Sequence, residues 1–253
     1  MKGGSSIHIG TSGWHYSHWR GPFYPQDLAD NAMLAFYSGH FSTVEINNSF
    51  YKMPQKKTLA GWRNSVPDDF IFAVKASRYI THMKKLRDAR EPLSRFLDAV
   101  DTLGDKLGPV LFQLPPRWHL NRERLASFLD LLPKDYRFAF EFRDPSWFSQ
   151  EVYNALSESG AAFCIYDLGG SLSPKEVTSD VAYVRLHGPA GPYSGEYGTQ
   201  VLAGWAEAFA AWRKQGKEIY CYFDNDEAGH APNDAFRLLE MMQKDRVRKG
   251  PMK

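Results

Sequence analysis

Eight short apolar runs punctuate the chain, at 7–9, 43–46, 70–74, 109–114, 137–142, 162–166, 181–186 and 218–223. Segments of helical character separate them. Parallel strands need helix-sized crossovers, so strands alternating with helices read as a parallel sheet. Eight such units predict a closed (β/α)₈ TIM-type barrel, one α/β domain over residues 7–243. In that architecture the active site is assembled at the C-terminal strand ends. Those ends here carry Ser12, Glu45 with Asn47, Lys75, Gln113, Glu141 with Arg143, Asp167, Arg185 with His187, and Asp224 with Asn225.

The 253 residues suit one such barrel. A formal net charge of +2 is too small to point to a nucleic-acid or membrane partner by itself. No apolar stretch approaches a membrane-spanning length, so no membrane partner is expected. Segment 1–6 lacks the apolar core of a signal peptide, and Cys164 and Cys221 both fall inside apolar runs. Buried free thiols and no leader predict a cytoplasmic protein. Segments 1–6 and 244–253 are expected to fray. Nothing in the sequence fixes an oligomeric state.

Four apolar stripes have helical period: Leu93, Phe96, Leu97, Val100 and Leu103; Leu125, Phe128, Leu129 and Leu132; Leu202, Trp205, Phe209 and Trp212; and Ala235, Leu238, Leu239 and Met242. Ser149 caps a helix that Gly160 closes, and Gly216 closes the helix before the last strand. Two crossovers look irregular. Segment 168–180 is too short and too rich in Gly and Ser for a full helix. Segment 188–199 is rich in Gly, Pro and Tyr.

Strand side chains alternate, one parity facing the barrel interior and the other the helices. If the large apolar residues face the helices, Glu45 and Asn47, Ala73 and Lys75, Leu111 and Gln113, Ala139, Glu141 and Arg143, and Tyr183, Arg185 and His187 face inward. The last strand is ambiguous, because Tyr220, Tyr222 and Asp224 compete with Cys221, Phe223 and Asn225. One parity thus gathers nearly every polar strand residue. Unpaired buried charges are costly, so these groups must meet one another, water or a ligand. Neighbouring strands suggest the pairs Glu45 with Lys75, Arg185 with Asp224, and Glu141 with Gln113.

That constellation suits a polar small molecule, anionic or sugar-like. Glu45 and Glu141 are the acid–base candidates and His187 the proton shuttle. Lys75, Arg143 and Arg185 supply positive charge for an anion. Ser12, Asn47, His82, Gln113, Asp224 and Asn225 supply further polar contacts. Trp14, Tyr51, Trp147 and Tyr193 supply flat apolar surface, although most of the chain's rings are expected between barrel and helices. The segment after His187 would act as a lid. No metal is expected, since Lys and Arg interleave with the carboxylates. No cofactor is expected either, as no glycine-rich dinucleotide fingerprint is present. Gly10-Thr11-Ser12-Gly13 is either a backbone nest for an anion or a tight turn. Two readings compete with an enzyme. One is a nucleic-acid-binding or nucleic-acid-processing protein using the basic loop 75–90. The other is a non-catalytic metabolite-binding protein.

Several motifs, in order, resemble the YecE-like family, a widespread TIM-barrel domain of unknown function. They are Gly10-Thr11-Ser12-Gly13-Trp14 with Trp19; Val44-Glu45-Ile46-Asn47 with Phe50 and Tyr51; Phe72-Ala73-Val74-Lys75 with Thr81-His82; Gln113-Leu114-Pro115-Pro116; Glu141-Phe142-Arg143 with Ser146-Trp147; Arg185-Leu186-His187-Gly188 with Tyr193; and Tyr222-Phe223-Asp224-Asn225 with Gly229. They span nearly the whole chain. The resemblance implies a barrel whose mouth these motifs build, and distant kinship in fold with sugar isomerases and endonuclease-type barrels. It implies no reaction. It also implies paired asparagines after the last strand, where this chain has Asp224 before Asn225.

Overall fold

A computed structural model describes residues 6–248, with side chains through Gln243. Eight parallel strands form the barrel: β1 (Ile7–Thr11), β2 (Thr43–Ile46), β3 (Ile71–Lys75), β4 (Leu107–Gln113), β5 (Phe138–Glu141), β6 (Ala162–Leu168), β7 (Val181–Leu186) and β8 (Glu218–Phe223). Each of β3 to β7 pairs with both of its sequence neighbours, and β8 returns to pair with β1. The remaining seam, between β1 and β2, is closed by less. A bridge joins Ser12 to Glu45, and Gly13 N–H donates to the Glu45 carbonyl at 2.8 Å. The Tyr37 hydroxyl staples the same seam. It accepts from Thr11 N at 2.9 Å and lies 3.1 Å from the Thr43 carbonyl. Gly10 permits this approach, since a Cβ there would stand 2.2 Å from the Thr43 oxygen.

The helices are α1 (Met33–Ser38), α2 (Asn48–Tyr51), α3 (Lys56–Asn64), α4 (Arg90–Val100), α5 (Arg122–Leu129), α6 (Gln150–Ser159), α7 (Thr199–Lys214) and α8 (His230–Arg248). The four apolar stripes lie on α4, α5, α7 and α8, with Leu103 and Leu132 falling just beyond the ends of α4 and α5, and their inner residues are buried. The helices α1 and α3 carry no comparable stripe; α1 has six residues, and on α3 only Leu59 is fully covered. Ser149 caps α6 by accepting from Val152 N, and Gly160 ends that helix in the left-handed conformation at φ 73°. Between β6 and β7 the described chain has no helix. Ser171–Leu172 instead turns back antiparallel on the end of β6. Of the termini expected to fray, 1–5 and 249–253 lie outside the described residues. Ser6 is held, its hydroxyl donating to Glu218 at 2.7 Å.

Alternation divides the core in two. Val44, Phe72, Val74, Phe112, Phe140, Phe142, Val184 and Phe223 pack outward against the helices. Ala73, Leu111, Ala139, Ala162, Cys164, Tyr183, Tyr220 and Tyr222 fill the interior. The ambiguous last strand therefore turns its tyrosines and Asp224 inward. Both cysteines are free and buried, Cys164 inside the barrel and Cys221 outside it.

Candidate functional site

Above the tyrosine layer, at the C-terminal strand ends, a single guanidinium organises the mouth. Arg185 on β7 is fully buried, and all five of its N–H groups meet acceptors. Nε and Nη2 donate to Glu45, Nη2 at 2.8 Å. Nη1 donates to Glu141 at 2.9 Å, and Nη2 also reaches Asp224 at 3.1 Å and Ser12 at 3.2 Å. Three carboxylates from β2, β5 and the end of β8 thus converge on one cation. Glu45 and Glu141, on opposite sides of the barrel, are brought together by it. Burial opposes ionisation of Glu141, but Arg143 and Arg185 outweigh it and hold that carboxyl well below the usual range. The same contest leaves Asp224 lowered, with Arg185 and His187 overcoming burial.

His187 completes the cluster. Its Nδ1 lies 2.9 Å from Asp224, and its Nε2 lies 2.8 Å from Arg143 Nη2 and 3.1 Å from Arg185 Nη1. Guanidinium nitrogens only donate, so Nε2 accepts and the ring proton sits on Nδ1, donated to Asp224. Arg143 is also paired with Glu141 and lies over the Tyr166 ring at 4.7 Å. Tyr166 and Tyr183 sit at inward-facing strand positions. The Tyr183 hydroxyl donates to Glu45 at 2.6 Å, and burial pushes its pKa far up.

Several expectations change at this level. Lys75 does not pair with Glu45, whose oxygens are taken by Ser12, Tyr183 and Arg185. Its ammonium lies instead 4.4 Å from the centre of the Phe50 ring. Arg185 has no donor left for a ligand anion, and Glu45 is sealed beneath it. Trp147 is fully buried, donating to the Trp118 carbonyl and stacked on Phe142, so it belongs to the outer core. Asn225 turns from the mouth and donates to Gly195 O at 2.8 Å and Asp234 at 2.9 Å, tying down the segment after β7. The Gly10–Gly13 segment is neither a nest nor a tight turn: Gly10 and Thr11 end β1, Ser12 bridges to Glu45, and the N–H groups of Thr11, Ser12 and Gly13 go to Tyr37, Phe223 and Glu45.

The other candidates lie around the rim. Lys75, His82, Gln113 and Asn47 are partly buried, and Tyr193 is 48% exposed. Tyr193 stands edge-on to His187 at 5.8 Å, its backbone left-handed at φ 65°. Trp14, Asn47 and Tyr51 line a cleft of about 800 Å³ beside the ends of β1 and β2. Trp62 forms its other wall, edge-on to Trp14 at 4.9 Å. Sequence reading passed over Trp62, which lies on a helix without a stripe. It also passed over the site roles of Tyr166 and Tyr183, although strand parity points both inward. Among the described residues no group of three or more His, Cys, Asp and Glu side chains is placed to hold a metal ion.

A single parallel barrel with an ionic cluster under its C-terminal mouth defines a TIM-type barrel protein with a candidate ligand site on that face. The chain belongs to the family described as "Protein of unknown function DUF72", whose profile matches residues 8–253. It is 27% identical to the UPF0759 protein YunF of Bacillus subtilis, over 93% of this chain and 94% of that protein. It is 29% identical to the UPF0759 protein YecE of Escherichia coli K12, over 64% of this chain and 59% of that protein. Among solved structures, a DUF72 family protein from Thermotoga maritima is 28% identical. That structure matches with a TM-score of 0.84, covering 94% of this chain and 99% of that one.

Proposed function

We propose that the protein is a cytoplasmic enzyme acting on a polar small molecule, anionic or sugar-like, by acid–base chemistry at the barrel mouth. The observation that carries this reading is the state of Lys75. Around it the carboxylates Glu45, Glu141 and Asp224 are all engaged by Arg185, and Arg143 is engaged by Glu141. Lys75 alone among these inward charges has no ion-pair partner among the described residues. A ligand anion would supply one. The Asp224–His187–Arg143 chain holds a proton on Nδ1 with the ring nitrogen opposite facing the mouth cations. That arrangement suits a proton-relaying role for His187. Tyr193 and the segment behind it stand where a lid would close.

The test is thermal denaturation with millimolar ribose 5-phosphate, glucose 6-phosphate, glucuronate and inorganic phosphate. At least one anion should raise the wild-type midpoint while its uncharged counterpart, ribose or glucose, does not. The shift should vanish in Lys75→Gln. Flat midpoints with all four anions would remove the mouth as an anion site. Binding without conversion of any ligand so found would make the protein a metabolite-binding one rather than an enzyme.

The second reading, a nucleic-acid partner, draws on one feature of the 75–90 loop. Lys84, Lys85 and Arg87 join Arg124 around a surface recess, with Asp88 the acid among them. Fluorescence anisotropy with a labelled oligonucleotide tests it. Binding should weaken steeply with salt, and no binding at low salt would dismiss it.

A further inference from the structure

Lys75 has the surroundings of a nucleophile as well as of an anion clamp. Its strand end is fixed by the Ser49 hydroxyl, which donates to the Lys75 carbonyl at 2.6 Å. Its ammonium rests against the face of Phe50, and His82 meets the same ring edge-on at 4.9 Å. Burial, with Lys75 and Arg78 nearby, lowers the His82 pKa to about 4, so this neighbour adds no charge near neutrality. Burial first, and then Arg185, lower the Lys75 pKa from 10.5 to about 8, against the opposing pull of Glu141, Asp224 and Glu45. Holding an anion needs only a positive charge, which an ordinary lysine or arginine gives at any physiological pH. A desolvated amine without an acidic partner offers something else, a lone pair near neutral pH.

We propose that Lys75 is an imine-forming amine, and that the molecule taken by the mouth carries an aldehyde or ketone carbonyl beside its anionic or hydroxyl groups. This inference rests on the reading of the mouth as a small-molecule site. The Nζ lone pair attacks the carbonyl carbon, and the C–N bond forms as the C=O π pair passes to oxygen. A proton moves from nitrogen to that oxygen, giving the carbinolamine. Its hydroxyl takes one further proton from the medium and leaves as water while the nitrogen lone pair closes the C=N bond. Amine, carbonyl and one proton become a protonated imine and water, with no oxidant or reductant. The protonated imine draws electrons from the adjacent carbon and acidifies its C–H. Asp224, held ionised by Arg185 and His187 and with its side chain 10% exposed, is the carboxylate we assign as the base for that proton. The reaction class is therefore enolisation, isomerisation or carbon–carbon cleavage next to a carbonyl.

The experiment uses the whole protein with glyceraldehyde 3-phosphate and sodium cyanoborohydride at neutral pH. Peptide mass spectrometry then locates reduced adducts. The free-amine fraction at Lys75 should make it react roughly a hundredfold faster than exposed lysines such as Lys57 and Lys134. Lys75→Arg should carry no adduct in that peptide. Labelling of Lys75 no faster than Lys57, with the midpoint rise intact, would overturn the imine and leave the anion site standing. Neither adduct nor midpoint rise would overturn both.

Discussion

The two ends of this barrel each carry a network of charges, and they are built to different ends. At the N-terminal floor a single carboxylate, Glu218, gathers its donors. Ser6 lies at 2.7 Å, Arg137 at 2.7 Å, Tyr220 at 2.9 Å and His8 at 3.2 Å. Arg137 is 51% exposed, so water shares the cost of ionising that group. At the C-terminal mouth the order is reversed. One cation gathers three carboxylates, and it does so without solvent, Arg185 and its Glu45 and Glu141 partners being fully covered. The floor closes its account with partners it makes itself. The mouth leaves Lys75 unmatched. In barrels of this type the N-terminal face serves stability and the C-terminal face serves chemistry. Here the two faces differ in which of these charges find partners.

Replacing the organiser should break the comparison most severely. Arg185→Met leaves Glu45, Glu141 and Asp224 buried without their shared cation, and we expect a loss of about 3–5 kcal/mol in a urea titration. A loss under 1 kcal/mol would mean that water or neighbouring groups already satisfy the carboxylates. Glu141→Gln removes one partner from Arg143 and Arg185 together, and about 3 kcal/mol should go by the same measurement. The seam between β1 and β2 gives a third case without any charge. Gly10→Ala drives a methyl into the Thr43 oxygen and the Tyr37 hydroxyl, 2.2 and 2.9 Å away. Separation of the strands should cost about 1–3 kcal/mol. An unchanged unfolding midpoint would show that the seam tolerates opening.

The floor should yield the smallest effect and a distinctive pH signature. The Glu218 pKa lies at about 2 rather than 4.5, with burial outweighed by the bonds from His8 and Ser6 and by Arg137. A carboxyl lowered on folding stabilises the fold above its unfolded value and loses that contribution as pH falls through the folded one. Stability should therefore drop between pH 4.5 and about 2 in the wild type. In Glu218→Gln that part of the slope should be missing, with about 1–2 kcal/mol already lost at neutral pH after allowance for solvent screening. Parallel wild-type and variant curves over that range would refute the assignment.

Strand parity made the inward set legible before any coordinates. A side chain two residues from an inward one is also inward, whatever the tertiary details, so Glu45, Glu141, Arg143, Arg185 and His187 could be grouped from spacing alone. The last strand resisted because both of its parities hold aromatic and polar residues, and only packing against α7 and α8 sends Cys221 and Phe223 outward. The site residues divided for a related reason. Trp147 and Asn225 share the motifs of true rim residues, but one is tied to the Trp118 carbonyl and the other to the Gly195 carbonyl, groups about thirty residues away in sequence. Trp62, on a helix with no apolar stripe, had no periodic signal to mark it.

The amino-acid sequence by itself determined the barrel, its strand ends and the parity of its charges, because these follow from local periodicity and crossover length. Only the tertiary structure decided which charges neutralise one another. Pairing depends on distances across the barrel, and a fully buried guanidinium takes whichever carboxylates its five donors can reach. By reaching Glu45, Glu141 and Asp224 at once, Arg185 left Lys75 without a carboxylate at the mouth.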